Sequence, residues 1–304
     1  MTIATDFGSR GGILAERNLK YVLIAPAVFI ILLIGLYPIL HSLVVSFQDV
    51  SALFENYDFV GFMNYSRLFG DERLWYAMLH TLVITAIALP IELVLGLLMA
   101  QLFLDKMPFR QVMVALAIIP SVLSPVVVGA GWRLMFDDRY GPINAVIRLL
   151  FNERFSLPWV VDPIAVYPAL LITEVWQWTP FMFLMLYAAL SNVDQSLEEA
   201  AKIDGAGYWS IFFKIALPAI WPVMAIALII RALDLVRIFD IVWVLTRGGP
   251  GTFTETISIY LYQRGFRQFE TSYTAAMVFV IVIVLSVLVI WCLRRMEMTG
   301  AKSR

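Results

Sequence analysis

The stretch Glu198–Pro218 reads EEAAKIDGAGYWSIFFKIALP and separates two long apolar segments. Ser196 lies three residues before Glu199, which is the spacing of a capping box at a helix start. Glycines in the following DGAG permit the sharp turn at which a short helix ends. We therefore predict a short capped helix, a turn and a second amphipathic segment, Tyr208–Ala216, that enters the next apolar segment at Pro218.

The composition around this stretch is that of an integral membrane protein. Of the 304 residues, 61% are hydrophobic and 15% are charged, whereas a soluble chain is about 45–50% apolar and about 25% charged. The net charge of −1 gives no indication of nucleic-acid binding. The single cysteine, Cys292, excludes an internal disulfide.

Six segments are long and apolar enough to cross a membrane, which needs about 20 residues. They predict an all-α membrane protein with six transmembrane helices and no separate soluble domain. The first is a retained anchor rather than a signal peptide, because its apolar core is too long and no small-residue cleavage site follows it. The segments are Tyr21–Phe47, Leu74–Leu104, Gln111–Met135, Ile164–Leu190, Pro218–Leu245 and Tyr273–Leu293.

The Lys and Arg residues near the helix ends favour an orientation with both termini in the cytoplasm. This gives a cytoplasmic tail at 1–20, a transmembrane domain at 21–295 with a cytoplasmic loop at 191–218, and a cytoplasmic tail at 296–304. Two of the outside loops are then 49–73 and 137–163. The first is polar and aromatic, and the second contains GPINAVIRLLF, which predicts a short helix at the membrane interface. The inside cations are Arg10, Arg17, Lys20, Lys106, Arg110, Lys202, Lys214, Arg294, Arg295, Lys302 and Arg304.

The sequence lacks the motifs that would make it an enzyme. It contains no Gly-Lys dipeptide and therefore no P-loop for ATP. Its two histidines, His41 and His80, do not have metal-ligand spacing. We therefore expect no catalytic residue, metal site or cofactor in this chain, and if it moves a solute the energy must come from elsewhere.

The charged loop is a candidate docking surface for the chain that supplies this energy. Ala200 and Ala201 are small and would allow another backbone to approach closely. Glu199 has two interpretations: it completes the capping box of its own helix, or it faces a cationic partner. The residue pattern alone leaves both open.

The same loop resembles the EAA signature of permease subunits of ABC importers. Glu199-Ala200-Ala201, three residues, Gly205, nine residues and then Ile215-x-Leu217-Pro218 match it without a gap. EVWQWTPFMFLMLYAALSNVDQSLEEAAKIDGA, RALDLVRIFDIVWVLTRGGPG and TETISIYLYQRGF are similar to the carbohydrate-uptake branch, which includes maltose-, trehalose- and glycerol-phosphate-type permeases. The resemblance extends over about 21–295.

This resemblance implies a type I importer fold in the cytoplasmic membrane and a set of partners. They are a related permease, here expected to form a heterodimer, two ATPase subunits that use ATP and Mg²⁺, and an extracytoplasmic solute-binding protein. The resemblance also implies that the short helix couples the ATPase to the membrane bundle. The coupling residues are Glu199, Ala200, Ala201, Asp204 and Gly205.

Polar residues inside the spans are candidates for the solute pathway, because they are costly in a membrane. Trp176, Gln177 and Thr179 suit sugar binding, but an aromatic belt at the interface is the alternative. Arg231, Asp234, Arg237 and Asp240 recur every three residues, which fits self-neutralisation within one helix, a latch against the partner permease, or solute contact. Glu92 is expected to brace a helix pair, and Glu174 lies beside the Trp176 cluster.

Two other functions remain compatible with these residues. A secondary carbohydrate transporter would need paired titratable groups and commonly shows inverted repeats, which the sequence does not display. A membrane sensor or scaffold without transport could use the same docking loop. Monosaccharides, disaccharides, polyols and glycerol phosphate all fit the pattern as solutes.

Overall fold

The computed structural model describes residues 12–51, 54–104, 107–151 and 156–301. Part of the predicted N-terminal tail, the end of the predicted C-terminal tail, and the cations Arg10, Lys106, Arg154, Lys302 and Arg304 lie outside the described residues.

Helices form most of the described chain. Turns of π-helix lie at Leu32–Leu36, Phe212–Ala216 and Gln263–Arg267. The helices are α1 (Gly12–Ile31), α2 (Tyr37–Ser46), α3 (Met63–Phe69), α4 (Glu72–Leu104), α5 (Arg110–Val122), α6 (Pro125–Met135), α7 (Pro142–Leu150), α8 (Val166–Ser191), α9 (Gln195–Ile203), α10 (Tyr208–Ile211), α11 (Leu217–Val236), α12 (Asp240–Leu245), α13 (Ile257–Tyr262) and α14 (Thr271–Ala301).

Within the described residues, five helical stretches are long and apolar enough to cross a membrane, and the third predicted segment is broken. α5 and α6 meet at an angle of 93° and count as a sixth span if the pair is taken as one. The break follows from Pro125, because the residue before a proline is driven to extended backbone, and Ser124 has ψ of 133°. The apolar segment predicted at Gln111–Met135 is therefore present, but as two helices instead of one.

The centre of the bundle is a close contact between α4 and α8. Gly96 of α4 is the reason, since a Cβ atom at this position would lie 2.7 Å from the Cβ of Met182. α11 packs against both helices and completes a three-helix core. Two apolar clusters line this core, one around Phe136, Leu170 and Val242, and one around Phe183, Leu186 and Phe212.

A small β-hairpin is the exception to the prediction of helices alone. Strands β1 (Gln48–Ser51) and β2 (Phe54–Phe59) pair antiparallel within the loop that was predicted only as polar and aromatic. Asn64 fixes the hairpin to the end of α2, because its Nδ2 donates to the carbonyls of Ser46 and Gln48 at 2.9 Å each. Local side-chain bonds of this kind are not visible in the alternation of apolar residues.

The short helix predicted in GPINAVIRLLF is confirmed as α7, Pro142–Leu150. Its fixed point is Asn144, which is fully buried. The Asn144 side chain donates to the carbonyls of Asp137 and Leu157 and accepts from the Leu157 amide. These bonds connect α7 to Asp137 before it and to Leu157 after it.

Candidate functional site

The helix at the centre of the predicted docking loop is α9, and its start differs from the prediction. Asp194, not Ser196, is the N-cap, and its carboxylate accepts from the Ser196 amide at 2.9 Å. This hydrogen bond lowers the pKa of Asp194 from its ordinary value. The capping box with Ser196 and Glu199 was therefore wrong by two residues, because Asp competes equally well for an N-cap position.

The end of α9 is the turn that the glycines predicted. Gly205 has φ of +78°, its amide donates to the Lys202 carbonyl, and the Ala206 amide donates to the Ala201 carbonyl at 2.9 Å. These two bonds form a Schellman motif, which satisfies the last carbonyls of the helix. Both ends of α9 are therefore fixed by local hydrogen bonds.

One face of α9 is open, and the other borders a cleft. Glu199 and Ala200 are exposed, and Ile203 is 87% exposed. Glu198 and Lys202 line a cleft between α9 and the ends of α4 and α8. Because the N-cap is Asp194, Glu199 is not needed for capping, and its outward position leaves it available to a partner.

The segment after α9 attaches the loop to the bundle. The Tyr208 hydroxyl donates to Gln101 of α4 at 3.1 Å. Phe212 is buried in the core cluster, while Trp209 and Phe213 stack at 5.9 Å on the exposed side. This segment continues directly into α11, so it links α9 to both α4 and α11.

Midway along the spans, three helices meet in a buried ion site. Arg231 of α11 donates from Nε to Glu92 Oε2 at 2.7 Å and from Nη2 to Glu92 Oε1 at 2.9 Å. Arg231 Nη2 also contacts Glu174 of α8. The prediction that Glu92 braces a helix pair is confirmed, whereas self-neutralisation within one helix is wrong for Arg231, because carboxylates on two other helices are closer.

The rest of the Arg/Asp pattern behaves as the helix spacing predicted. Arg237 Nη2 donates to Asp234 at 2.7 Å, and the Arg237 side chain is largely exposed. Asp240 lies in the first turn of α12, where a negative charge is favourable. This pair is thus a surface feature of α11 and not part of the buried ion site.

The polar residues around Trp176 are divided between the surface and the core. Trp176 is half-exposed and lies edge-on to Trp132 at 5.7 Å. Gln177 is buried and donates to the Leu123 carbonyl at the break between α5 and α6, at 3.1 Å. Within the described ranges, Gln177 Oε1 and Thr179 Oγ1 are buried without a hydrogen-bond partner. The pathway candidates are therefore divided between the surface and the core in this conformation: Trp176, Gln177, Thr179, Arg231, Asp234 and Arg237.

A polar cluster that no sequence pattern predicted lies at the opposite end of the bundle from α9. Asp71 accepts from the Tyr273 hydroxyl at 2.6 Å and from the Tyr260 hydroxyl. Burial raises the pKa of Asp71, but the two tyrosines, the Leu74 amide and Arg264 together lower it below its ordinary value. These partners are far apart in the chain, so no local pattern could reveal them.

Arg73 and Glu255 form an ion pair at the same end of the bundle as Asp71. Arg73 Nε donates to Glu255 Oε2 at 2.7 Å, and Glu255 is buried. Among the residues that the structure describes, no three His, Cys, Asp or Glu side chains are grouped to hold a metal ion.

With this geometry in place, sequence comparison identifies the family. Residues 59–297 match the family described as binding-protein-dependent transport system inner membrane component. The chain belongs to this family. The match begins at the end of the hairpin and includes α4, α8, α9, α11 and nearly all of α14.

Curated relatives of the permease extend over most of its length. It is 35% identical over 248 residues to the trehalose/maltose transport system permease protein MalF of Thermococcus litoralis, which covers 81% of this chain and 83% of that protein. It is 34% identical over 267 residues to the sulfoquinovosyl glycerol transport system permease protein SmoG of Agrobacterium fabrum, covering 87% and 85%.

Solved structures show that the permease has the type I ABC importer fold. A chain of a bacterial alginate ABC transporter, in complex with an alginate pentasaccharide-bound periplasmic protein, superimposes with a TM-score of 0.79. That pair is 21% identical, and the alignment covers 93% of the permease and 96% of the other chain. The predicted resemblance to ABC-importer permeases is confirmed.

Proposed function

We propose that the permease is a subunit of an ATP-driven importer that moves a sugar or a related polyol across the cytoplasmic membrane. The observation that carries this proposal is the family match over 59–297, which includes both the spans and α9. The solute class is supported by relatives named for trehalose/maltose and sulfoquinovosyl glycerol, each similar over more than four fifths of its own length. The same family match favours this function over that of a secondary transporter or of a scaffold that does not transport.

The coupling element in this proposal is α9 with its C-terminal turn. Glu199, Ala200 and Ala201 form the contact with a separate ATPase subunit, and Asp204 and Gly205 form the turn that holds the helix end. Local hydrogen bonds at both ends make α9 stiff, and Glu199 points outward. A stiff helix with an exposed acidic residue suits the transmission of a movement between two chains.

The permease itself binds neither ATP nor Mg²⁺ in this proposal and catalyses no reaction, because its sequence has no P-loop. Two ATPase subunits bind the nucleotide and the metal on the cytoplasmic side. A related permease forms the other half of the membrane unit as a heterodimer, and a solute-binding protein delivers the solute from outside. Residues 1–20, the loop 191–218 and residues 296–304 are cytoplasmic, on either side of the domain at 21–295.

The candidate pathway residues have different roles in this scheme. Trp176, Asp234 and Arg237 are accessible in the isolated permease and could meet a solute between two permeases. Gln177 and Thr179 would contribute once the helices separate, since each has a buried polar atom without a partner among the described residues. Arg231 acts by holding helices together.

The direct test is uptake into liposomes that contain the purified permease with its partner subunits. A thermal-shift screen of the solute-binding protein against mono- and disaccharides, polyols and glycerol phosphate first identifies the solute. Uptake of that solute should require ATP on the cytoplasmic side of the permease and the binding protein on the opposite side. Uptake driven by an ion gradient without ATP would contradict the proposal, and a complex that neither transports nor binds a solute-binding protein would favour the scaffold.

A further inference from the structure

The buried ion site between α4, α8 and α11 has more acid than base. Glu92 is 0% exposed, Glu174 is 2% exposed and Arg231 is 1% exposed. Both carboxyl groups contact the same guanidinium. An arginine carries one positive charge under all physiological conditions, so two ionised glutamates would leave the site with one surplus negative charge.

The two glutamates are not equivalent partners of Arg231. Glu92 receives two parallel hydrogen bonds, from Nε and from Nη2, which is the strongest geometry for an arginine–carboxylate pair. Glu174 uses one oxygen for Nη2, and its Oε2 is buried without a hydrogen-bond partner among the described residues. Glu92 thus completes the ion pair, and Glu174 is the surplus acid.

Among the residues that the structure describes, Arg231 is the only cation paired with these two carboxylates. The face of the Trp178 ring lies 4.7 Å from the Arg231 guanidinium carbon and attracts the same cation. Asp234, one turn further along α11, adds negative charge, and its own partner is Arg237. A surplus ionised carboxylate at this depth is strongly unfavourable, because water is excluded and two carboxylates share one counter-ion.

We propose that Glu174 is held as a neutral carboxylic acid, so that the three-helix site binds one proton and has no net charge. The proton is bound and not transported: Glu92 and Arg231 form the ion pair, and protonated Glu174 fills the third position. This assignment concerns the charge state of the permease and goes beyond the transport function. Because Glu174 is neutral in this assignment, Glu174→Gln closely mimics the native residue. Glu92→Gln does not, because it removes a negative charge.

The experiment is infrared spectroscopy of the purified, lipid-embedded complex that contains the permease, at neutral pH. A protonated carboxyl group has a C=O stretch that is separate from the bands of ionised carboxylates. The difference spectrum between wild type and Glu174→Gln should show the loss of one such acid band. Glu270→Gln is the matched control, since Glu270 is partly exposed and pairs with Arg67; it should lose only carboxylate bands.

Thermal unfolding of the same complexes assigns the proton to one glutamate. Glu174→Gln should unfold close to the wild-type temperature, while Glu92→Gln should unfold several degrees lower, because it removes the ionised member of a buried pair. A Glu174→Gln difference spectrum without an acid band would overturn the proposal. An unfolding temperature that falls more for Glu174→Gln than for Glu92→Gln would also overturn it. Both measurements are independent of uptake, so failure here leaves the transport function untouched.

Discussion

Gly96 and Met182 bring α4 and α8 into backbone contact. A Cβ atom on Gly96 would lie 2.7 Å from the Met182 Cβ and 2.9 Å from the Phe183 amide nitrogen. Neither neighbour is the end of a flexible side chain, so the helices would have to move apart. We expect Gly96→Val to lower the free energy of unfolding of the complex by about 1–3 kcal/mol or more.

Denaturation of the purified complex measures this effect, with Gly131→Ala as the control. Gly131 is also within a helix, but a Cβ atom there meets nothing within 4 Å. Its replacement should leave stability unchanged or raise it by up to about 1 kcal/mol, since alanine favours helix. Equal stability of Gly96→Val and wild type would mean that α4 and α8 are not closely packed.

The backbone at Gly205 predicts a defect in coupling. Gly205 has φ of +78°, where a β-branched residue costs about 1–2 kcal/mol. Gly205→Val should therefore loosen the Schellman motif and reduce uptake per ATP hydrolysed. Gly207→Val is the control, because Gly207 has φ of −74° and ψ of 163°, which any residue adopts. If the two variants transport equally well, the turn does not matter for coupling.

Asp194 and Ser196 give opposite predictions for the start of α9. Asp194→Ala removes the acceptor of the Ser196 amide and should speed hydrogen exchange in the first turn. Ser196→Ala should leave exchange in that turn nearly unchanged, because Ser196 is not the cap. Mass spectrometry of peptides from this region measures both. Faster exchange in Ser196→Ala than in Asp194→Ala would restore the capping box as first predicted.

Asp71 joins the start of α4 to α13 and α14 and should make stability depend on pH. Asp71→Ala leaves the Tyr260 and Tyr273 hydroxyls without their acceptor and should cost about 2 kcal/mol. The pKa of Asp71 is lowered in the folded protein. Its stabilisation is therefore present above its unfolded pKa and is lost as pH falls through the folded pKa.

The unfolding midpoints of Asp71→Ala and wild type should therefore move closer together as the pH of an acidic series falls. Glu72→Ala is a suitable control, because Glu72 is exposed, and a surface change of this kind is usually within about 0.5 kcal/mol. A stability difference that stays constant across the series would show that the charge of Asp71 is not involved.

Apolar length and the charged loop predicted most of the fold, but not the contacts between distant residues. The segments, α7 and the end of α9 follow from local patterns of apolar residues, proline and glycine. The Arg231 site could not be assigned in the same way, because its spacing to Asp234 looked like a sufficient explanation. Only the packing of α4 and α8 against α11 shows that Glu92 and Glu174 lie closer to Arg231 than Asp234 does. The Asp71 cluster likewise joins residues about 190–200 positions apart.

The central claim is that α9 couples a separate ATPase to solute movement, and Glu199 tests it most directly. Solute uptake and ATP hydrolysis should be measured together in liposomes for Glu199→Lys and for Asn192→Lys. Asn192 is also exposed and lies at the end of α8, where a cation is favourable. We predict that Glu199→Lys assembles in the membrane but loses uptake, while Asn192→Lys transports normally. Wild-type uptake by an assembled Glu199→Lys complex would contradict the account.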